Sequence, residues 1–396
     1  MPTPNPLTRL PAANRPVKIL AVLPVLGQPR HAKRLDTLKS MGFDLEVAAF
    51  QREYHNGRRP DCEVNIIGKA VQGSYLPRLL ALIKAIPKIR SALARADVVY
   101  AFGPDMAMLA VLARLTLGTR VPVFIEIGDV VPLQVSSGLR GLVYRTIDRW
   151  LMNHCTCLVT TTPKFLSEYY RAWLRVSIDG LVLENKVETT FGESVRCQDL
   201  QTRRSRSPQY PIRIGYFGLL GCQWALDVFR GLADEYPGKF EFVLAGYRWT
   251  TADVDGFLQR TRGCATYLGE YKSPTDLSNL YTSVDVVWAC YPPIGPSDWN
   301  LRWARPNRFY ESCLFQTPLV TRDGSCDAVD VSRLGIGAIV DKVEVGEAVI
   351  QLASMLTPNA ILGWSAAMED VPISVYQYTN EFDILACKLR EAALID

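Results

Sequence analysis

The sequence predicts an α/β protein built from two parallel, doubly wound halves. Short apolar runs alternate with helix-length amphipathic stretches from residue 17 onward, a basic aperiodic stretch near residue 200 interrupts the alternation, and the alternation then resumes. At 396 residues the chain exceeds one ordinary core, so two domains are the natural division. A hydrophobic share of 48% against 21% charged residues is that of a folded chain rather than a disordered one.

Residues 17–23 read as a buried strand and 30–40 as a polar helix. Strands follow at 45–50 and 64–67. Residues 70–96 contain no acid but carry Arg78, Lys84, Lys88, Arg90 and Arg95. Leu76, Leu79, Leu80, Ile83 and Ile86 recur there at helical spacing, with Pro87 a point of kinking. The half closes with strand 97–102, helix 104–117, strand 121–127, helix 138–153, strand 158–162, helix 164–173 and a short β-like stretch at 181–183. Residues 201–208 are polar, basic and without period, which places an interdomain linker at 196–211. The second half runs as strand 212–217, helix 224–235, strand 240–245, helix 251–261, strand 265–268, helix 274–281 and strand 284–290. Helix, turn and buried strand occupy 305–321. Helices follow at 343–355 and 376–393. The domains are then 1–195, 212–372 and a C-terminal helical segment, 373–396.

Charge is unevenly shared. Residues 1–200 hold 26 Lys and Arg against 17 Asp and Glu, whereas 201–396 hold 18 against 23. A basic first half suits an anionic partner. Its basic residues lack an aromatic stacking pattern, which argues against nucleic acid and leaves an anionic membrane surface. A basic amphipathic helix at 74–95 could lie on such a surface through Arg78, Lys84, Lys88 and Arg90. No apolar run reaches the length of a membrane span, and residues 1–16 lack a signal-peptide layout, so a cytoplasmic protein is expected, peripheral on the inner face of the membrane. Ten cysteines show no CxxC pair and only three histidines accompany them, so reduced thiols and no metal site are expected. Asp253 and Asp255 have Asp-x-Asp spacing but fall on a predicted exposed helix. No GxGxxG opens either half, which argues against a nicotinamide-dependent oxidoreductase.

The most informative stretch is Arg305-Pro-Asn-Arg-Phe-Tyr-Glu-Ser-Cys-Leu-Phe-Gln-Thr-Pro-Leu-Val320. Pro306 suits a first helical position. Free N–H groups at that helix end favour an anion, and Arg302, Arg305 and Arg308 crowd it with positive charge. Glu311 lies about one turn in, placed to accept two hydrogen bonds from a diol. Phosphates with a diol describe a nucleotide held by its pyrophosphate and ribose. Gly218 and Gly221 bracket a turn after a strand, where backbone N–H groups can approach a pyrophosphate. Asp129 follows the apolar strand 121–127 and is expected half-buried at its carboxyl end, where such sheets bind ligands. Glu126 is its rival, within the strand.

This stretch resembles the nucleotide-sugar signature of GT-B glycosyltransferases, especially the family-4-like group that builds bacterial surface polysaccharides. Ile212-Arg-Ile-Gly-Tyr-Phe-Gly-Leu-Leu-Gly221, Phe242-Val-Leu-Ala-Gly246, Tyr267-Leu-Gly-Glu-Tyr271, Asp97-Val-Val-Tyr-Ala101, Ile125-Glu-Ile-Gly-Asp129 and Leu183-Glu-Asn-Lys-Val187 extend the likeness in family order over roughly residues 17 to 390. The resemblance implies two Rossmann-like domains facing across a cleft, with a last helix that returns to the first domain. It implies a UDP- or GDP-sugar co-substrate, held by Gly218, Gly221, Arg302, Arg305, Asn307, Arg308 and Glu311, the last on the ribose. Asp129 becomes the base for transfer to a lipid-linked or oligosaccharide acceptor, with no bound cofactor. Three departures stand out. Gln223 and Trp224 replace a basic pair, Trp303 replaces a glutamate eight positions before Glu311, and Gln316-Thr317 replaces a glycine before the strand. The first two also fit a second reading, a catalytically degenerate GT-B scaffold that binds nucleotide or a partner glycosyltransferase. Asp298, in the loop before Trp303, is a substitute polar contact or a loop cap.

Overall fold

The computed structural model describes residues 15–51, 58–69, 75–195 and 208–394. They form two compact units. The first comprises the chain up to Asp129, Ser137–Glu184 and the residues from Asn380 onward; the second comprises Val130–Ser136 and Asn185–Thr379. Most of the proposed linker, residues 196–207, lies outside the described residues.

The first unit begins β1 (Lys18–Leu23), α1 (Pro29–Ser40), β2 (Asp44–Gln51), β3 (Val64–Lys69), α2 (Tyr75–Leu93), β4 (Val98–Phe102), α3 (Pro104–Leu117) and β5 (Val123–Ile127). A short helix α4 (Pro132–Val135) goes with the second unit. The first unit resumes with α5 (Leu139–Met152), β6 (Cys157–Thr160), a π-helix over Phe165–Trp173 and β7 (Asp179–Val182). Its sheet has the order β3-β2-β1-β4-β5-β6-β7, every neighbouring pair parallel. Strand order reverses between β1 and β4, the topological switch point at which such sheets open a crevice. The central strands β4 and β5 are buried throughout, as a parallel sheet covered on both faces requires.

A short helix α6 (Thr189–Val195) precedes the second sheet. The rest of that unit runs β8 (Ile212–Leu220), α7 (Gln223–Glu235), β9 (Phe240–Arg248), α8 (Val254–Arg260), β10 (Ala265–Tyr267), α9 (Leu277–Thr282), β11 (Val286–Trp288), α10 (Trp299–Trp303), α11 (Asn307–Leu314), β12 (Leu319–Arg322), α12 (Cys326–Leu334), β13 (Gly337–Val340), α13 (Val345–Met355), α14 (Pro358–Glu369) and α15 (Ile373–Tyr376). The six-stranded parallel sheet has the order β10-β9-β8-β11-β12-β13, with its switch between β8 and β11. Alternate residues serve opposite faces: Val286 and Trp288 enter one core cluster, Val287 and Ala289 the other.

Two expectations change at element ends. The stretch read as one helix over 376–393 is broken: Val187 donates to the Tyr376 carbonyl and accepts from the Tyr378 N–H, which holds that stretch extended. Helix α16 (Glu381–Ala393) starts afterwards, in the first unit, where Phe382, Leu385, Ala386 and Leu389 are buried. Helix α11 starts at Asn307, and Pro306 is its extended N-cap.

At the other end of α11, Gln316 adopts φ +54°. A left-handed conformation costs a non-glycine residue about 1–2 kcal/mol. Replacement by glycine also frees the unfolded chain, which returns roughly 0.4–1 kcal/mol of that gain. Gln316→Gly is therefore expected to raise stability by about 0.5–1 kcal/mol and Gln316→Val to lower it by at least about 1 kcal/mol, read by urea denaturation. Equal midpoints for the two variants would contradict this account.

A candidate nucleotide-sugar site

In the second unit Gly218, Glu311 and Arg322 lie at or beyond the carboxyl ends of its central strands. Helix α11 leaves these ends after β11. Its apolar side, Phe309, Tyr310, Cys313 and Leu314, is buried and fixes its rotation. That packing turns Glu311 inward, where it is 9% exposed. The Tyr281 hydroxyl, from α9, donates to Glu311 Oε2 at 2.5 Å. Tyr281 is itself locked between Phe217, edge to face, and Phe315, stacked. Burial and the Glu311 carboxylate push the Tyr281 phenol well above its ordinary range, so it stays a donor. Burial raises the Tyr271 phenol as well, with Glu311 again contributing. A glutamate held by one buried phenol keeps its carboxylate in one orientation, the requirement for gripping a diol.

Gly218 is not in a loop after the strand. Strand β8 continues through it to Leu220, paired with β9 as far as Arg248. Gly218 takes φ +103° and Gly246 φ +129°, and a Cβ on Gly246 would lie 1.9 Å from the Gly218 carbonyl oxygen. The two backbones approach this closely because Gly246 has no Cβ, whereas at Gly218 it is the positive φ that favours glycine. A Cβ on Gly218 would stand 3.9 Å from the Tyr271 hydroxyl. Gly221 follows the strand end against Trp249 and Thr251, whose hydroxyl donates to the Gly221 carbonyl at 2.7 Å. At the start of α7, Gln223 donates to Asp227 and accepts from the Asp253 N–H.

The three arginines differ. Arg308 donates from Nη1 to the carbonyl of Trp288, the last residue of β11, at 2.7 Å, and its guanidinium lies 5.3 Å from the Tyr216 ring centroid. Arg302 is exposed on α10, with one long contact to the Gly295 carbonyl. Arg305 departs from the expected phosphate role. It donates to Asp327 at 2.9 Å and to Asp330, and its guanidinium stacks 4.2 Å from the Phe309 centroid, so its charge is already matched by two carboxylates. Asn307 accepts from Asn185 Nδ2 at 2.6 Å. Asp298 accepts from the Gly295 N–H at 2.8 Å, the loop cap. Trp303 stands 4.6 Å from Trp299, ring centre to ring centre. The loop expected around these residues contains the short helix α10.

Sequence reading missed Tyr281 and Arg322. Arg322 ends β12 and is 3% exposed. It donates to the carbonyls of Tyr291, Val340 and Lys342 and lies 4.3 Å from the centroid of Trp224. Its Nη2 has no hydrogen-bond partner among the described residues. The signal was available: a basic residue that closes a short apolar strand in such a sheet belongs at the carboxyl edge.

In the first unit, Asp129 follows β5, the strand next to β4, and is exposed rather than half-buried. Glu126 is a structural charge. It is 1% exposed, accepts from Tyr100 Oη at 2.5 Å and pairs with buried Arg34 at 3.3 Å and with Arg30 at 3.6 Å. On α2, Lys84 and Arg90 are exposed, Lys88 reaches the carbonyls of Ile66 and Ile67, and the side chain of Arg78 lies outside the described residues. Asp253 caps α8 through the Gly256 N–H, and Asp255 pairs with Arg248 at 2.5 Å.

Residues 29–181 match the glycosyl transferase 4-like domain family. The succinoglycan biosynthesis protein ExoL of Rhizobium meliloti (strain 1021) is 27% identical over 353 residues, which is 87% of this chain and 85% of that one. A glycosyltransferase from Rickettsia africae superposes with a TM-score of 0.68 at 12% identity, covering 97% of this chain and 100% of the other. HepE of Anabaena, solved in complex with UDP and glucose, superposes with a TM-score of 0.65 at 15% identity, covering 95% and 100%. With two parallel Rossmann-like sheets and these superpositions, the class of fold is defined: the chain has the GT-B fold, and its residues 29–181 are similar to the glycosyl transferase 4-like domain.

Proposed function

We propose that the protein transfers a sugar from a UDP- or GDP-sugar to a lipid-linked glycan, in the assembly of a bacterial surface polysaccharide at the inner face of the cytoplasmic membrane. The observation that carries this is Glu311, oriented by Tyr281 at the carboxyl edge of the second sheet beside Arg308. Its carboxylate takes the two ribose hydroxyls of the donor. The diphosphate lies against Gly218 and the N-terminus of α11, where the helix dipole and the Arg308 guanidinium meet its charge. Arg322, whose Nη2 has no hydrogen-bond partner among the described residues, adds a second positive centre in place of the missing basic pair. ExoL's role in succinoglycan biosynthesis and the UDP and glucose bound by HepE support the pathway and the donor class.

During transfer the acceptor hydroxyl attacks the anomeric carbon, the bond from that carbon to the diphosphate oxygen breaks, and the hydroxyl proton passes to Asp129. The leaving diphosphate keeps the electron pair and is stabilised by the cations that bound it in the ground state. Trp303 offers an indole face where relatives have a carboxylate, so the sugar is held by stacking rather than by charge.

Asp129→Ala is expected to lower turnover by about 100- to 10,000-fold, the range for loss of a general base, while nucleotide affinity is unchanged. The assay is transfer from radiolabelled UDP- and GDP-sugars to polyprenyl-linked acceptors. Unaltered turnover would remove Asp129 from the mechanism. A well-folded protein that binds no nucleotide would favour the degenerate scaffold.

A further inference from the structure

Over its first three turns helix α5 faces its large apolar residues outward. Its buried positions there are Gly141 and Asp148, which accepts from the Tyr169 hydroxyl at 2.9 Å, while Leu151 and Met152 at its end are apolar and buried. Its outward side carries Leu139, 77% exposed, Leu142, 54%, Val143, 51%, and Ile147, 47%, with Trp150 one turn further. These positions recur every three to four residues and make one apolar stripe along the whole helix. An ordinary surface helix points its apolar stripe inward. Here at least four large side chains face outward together, where scattered single exposure would need no explanation.

Charge beside the stripe has one sign. Arg140, Arg145 and Arg149 lie along the same helix, and its sole acid is Asp148, which faces the core. Arg149 Nε donates to the Leu174 carbonyl at 3.1 Å, and Arg145 lies 5.9 Å from the centroid of Trp173, itself exposed. These contacts hold the guanidinium groups at the flank of the helix. Helix α3 packs against both α2 and α5, so the three form one layer on the sheet. The outward residues of the other two helices include Leu79, Ile83 and Leu115.

We infer that α5 is the element that docks the first unit on an anionic lipid bilayer. The stripe Leu139–Val143–Ile147–Trp150 enters the acyl boundary, and the arginines contact lipid phosphates. The charge pattern selects this occupant. An apolar stripe flanked only by cations complements an acyl boundary beneath anionic headgroups. This rests on the membrane contact of the proposed function but moves its main determinant from α2 to α5.

The test is flotation of the full chain with vesicles of phosphatidylcholine alone or with phosphatidylglycerol added. Wild type is expected to float only with the anionic vesicles, and less as salt is raised. Leu142→Glu/Ile147→Glu should reduce the floated fraction roughly tenfold or more, since it removes acyl contact and adds like charge. Leu79→Glu/Ile83→Glu, on α2, should have a smaller effect. An unchanged circular-dichroism spectrum and urea denaturation midpoint for each variant verify that the first unit is still folded. If the α5 variant floats as wild type does, while the α2 variant does not, α5 is overturned and the membrane reading stands. If wild type does not float with either vesicle, both fall. A wild-type dimer that the α5 substitutions convert to monomer, without flotation, would overturn the lipid in favour of a second copy.

Discussion

Glu311→Ala is expected to weaken binding of the preferred nucleoside diphosphate by about a hundredfold or more, measured by calorimetry against UDP, GDP and their sugars. A hydrogen bond to a charged group contributes roughly 1.5–3 kcal/mol, and the diol offers two. The loss should depend on those hydroxyls. A 2′,3′-dideoxy nucleoside diphosphate, which cannot make these bonds, should bind wild type and variant alike. Tyr281→Phe tests orientation separately. It leaves the carboxylate but removes the hydroxyl that donates to Oε2 at 2.5 Å. Affinity should fall less, by roughly tenfold, because the charge remains while its direction is no longer fixed. Unchanged affinity in Glu311→Ala, with the dideoxy analogue still discriminated against, would place the ribose elsewhere.

The inward placement of Glu311, the residue proposed to take the ribose, was legible because it lies on one short helix, where the local pattern sets what faces inward. Glu311 follows Phe309 and Tyr310, so the apolar side of the helix carried it into the interior. Strand–helix alternation was equally readable, since a parallel sheet writes each buried strand as a short apolar run. What could not be read were relations between distant segments. Arg305 looked like a phosphate ligand because Asp327 and Asp330, some twenty residues on, were not known to fold against it. Tyr281 is thirty positions from Glu311 and lacks any local mark of its partner. Gly218 looked like a loop residue because the paired extension of β8 beside β9 depends on Gly246. The break before α16 has the same origin, a pairing with Val187. Helix α5 hid in another way. Its periodicity was visible, but periodicity alone does not say which side faces the core.

Glu126 supplies the other large expected effect, on stability rather than binding. Glu126→Ala should lower the stability of the first unit by about 3–5 kcal/mol, the usual cost of removing one partner from a buried ion pair. Its carboxylate lies on the α1 side of β5, with Tyr100 from β4 and with Arg30 and Arg34 from α1. Arg34 is fully buried and also donates to the carbonyls of Leu183 at 2.6 Å and Glu184 at 3.0 Å. Carbonyl dipoles stabilise a guanidinium only in part, so without Glu126 a cation would remain in a low-dielectric interior. If the cost is that stranded charge, removing it too should recover most of the loss. The double variant Arg34→Met/Glu126→Leu is therefore expected to be more stable than Glu126→Ala, by guanidinium denaturation, with a strongly non-additive cycle. The same variants separate the two acids of this strand end. Asp129→Ala should leave the denaturation midpoint in place and remove turnover, whereas Glu126→Ala should shift the midpoint. Additive effects of Arg34 and Glu126, or an unshifted midpoint with turnover abolished, would assign Glu126 to the chemistry instead.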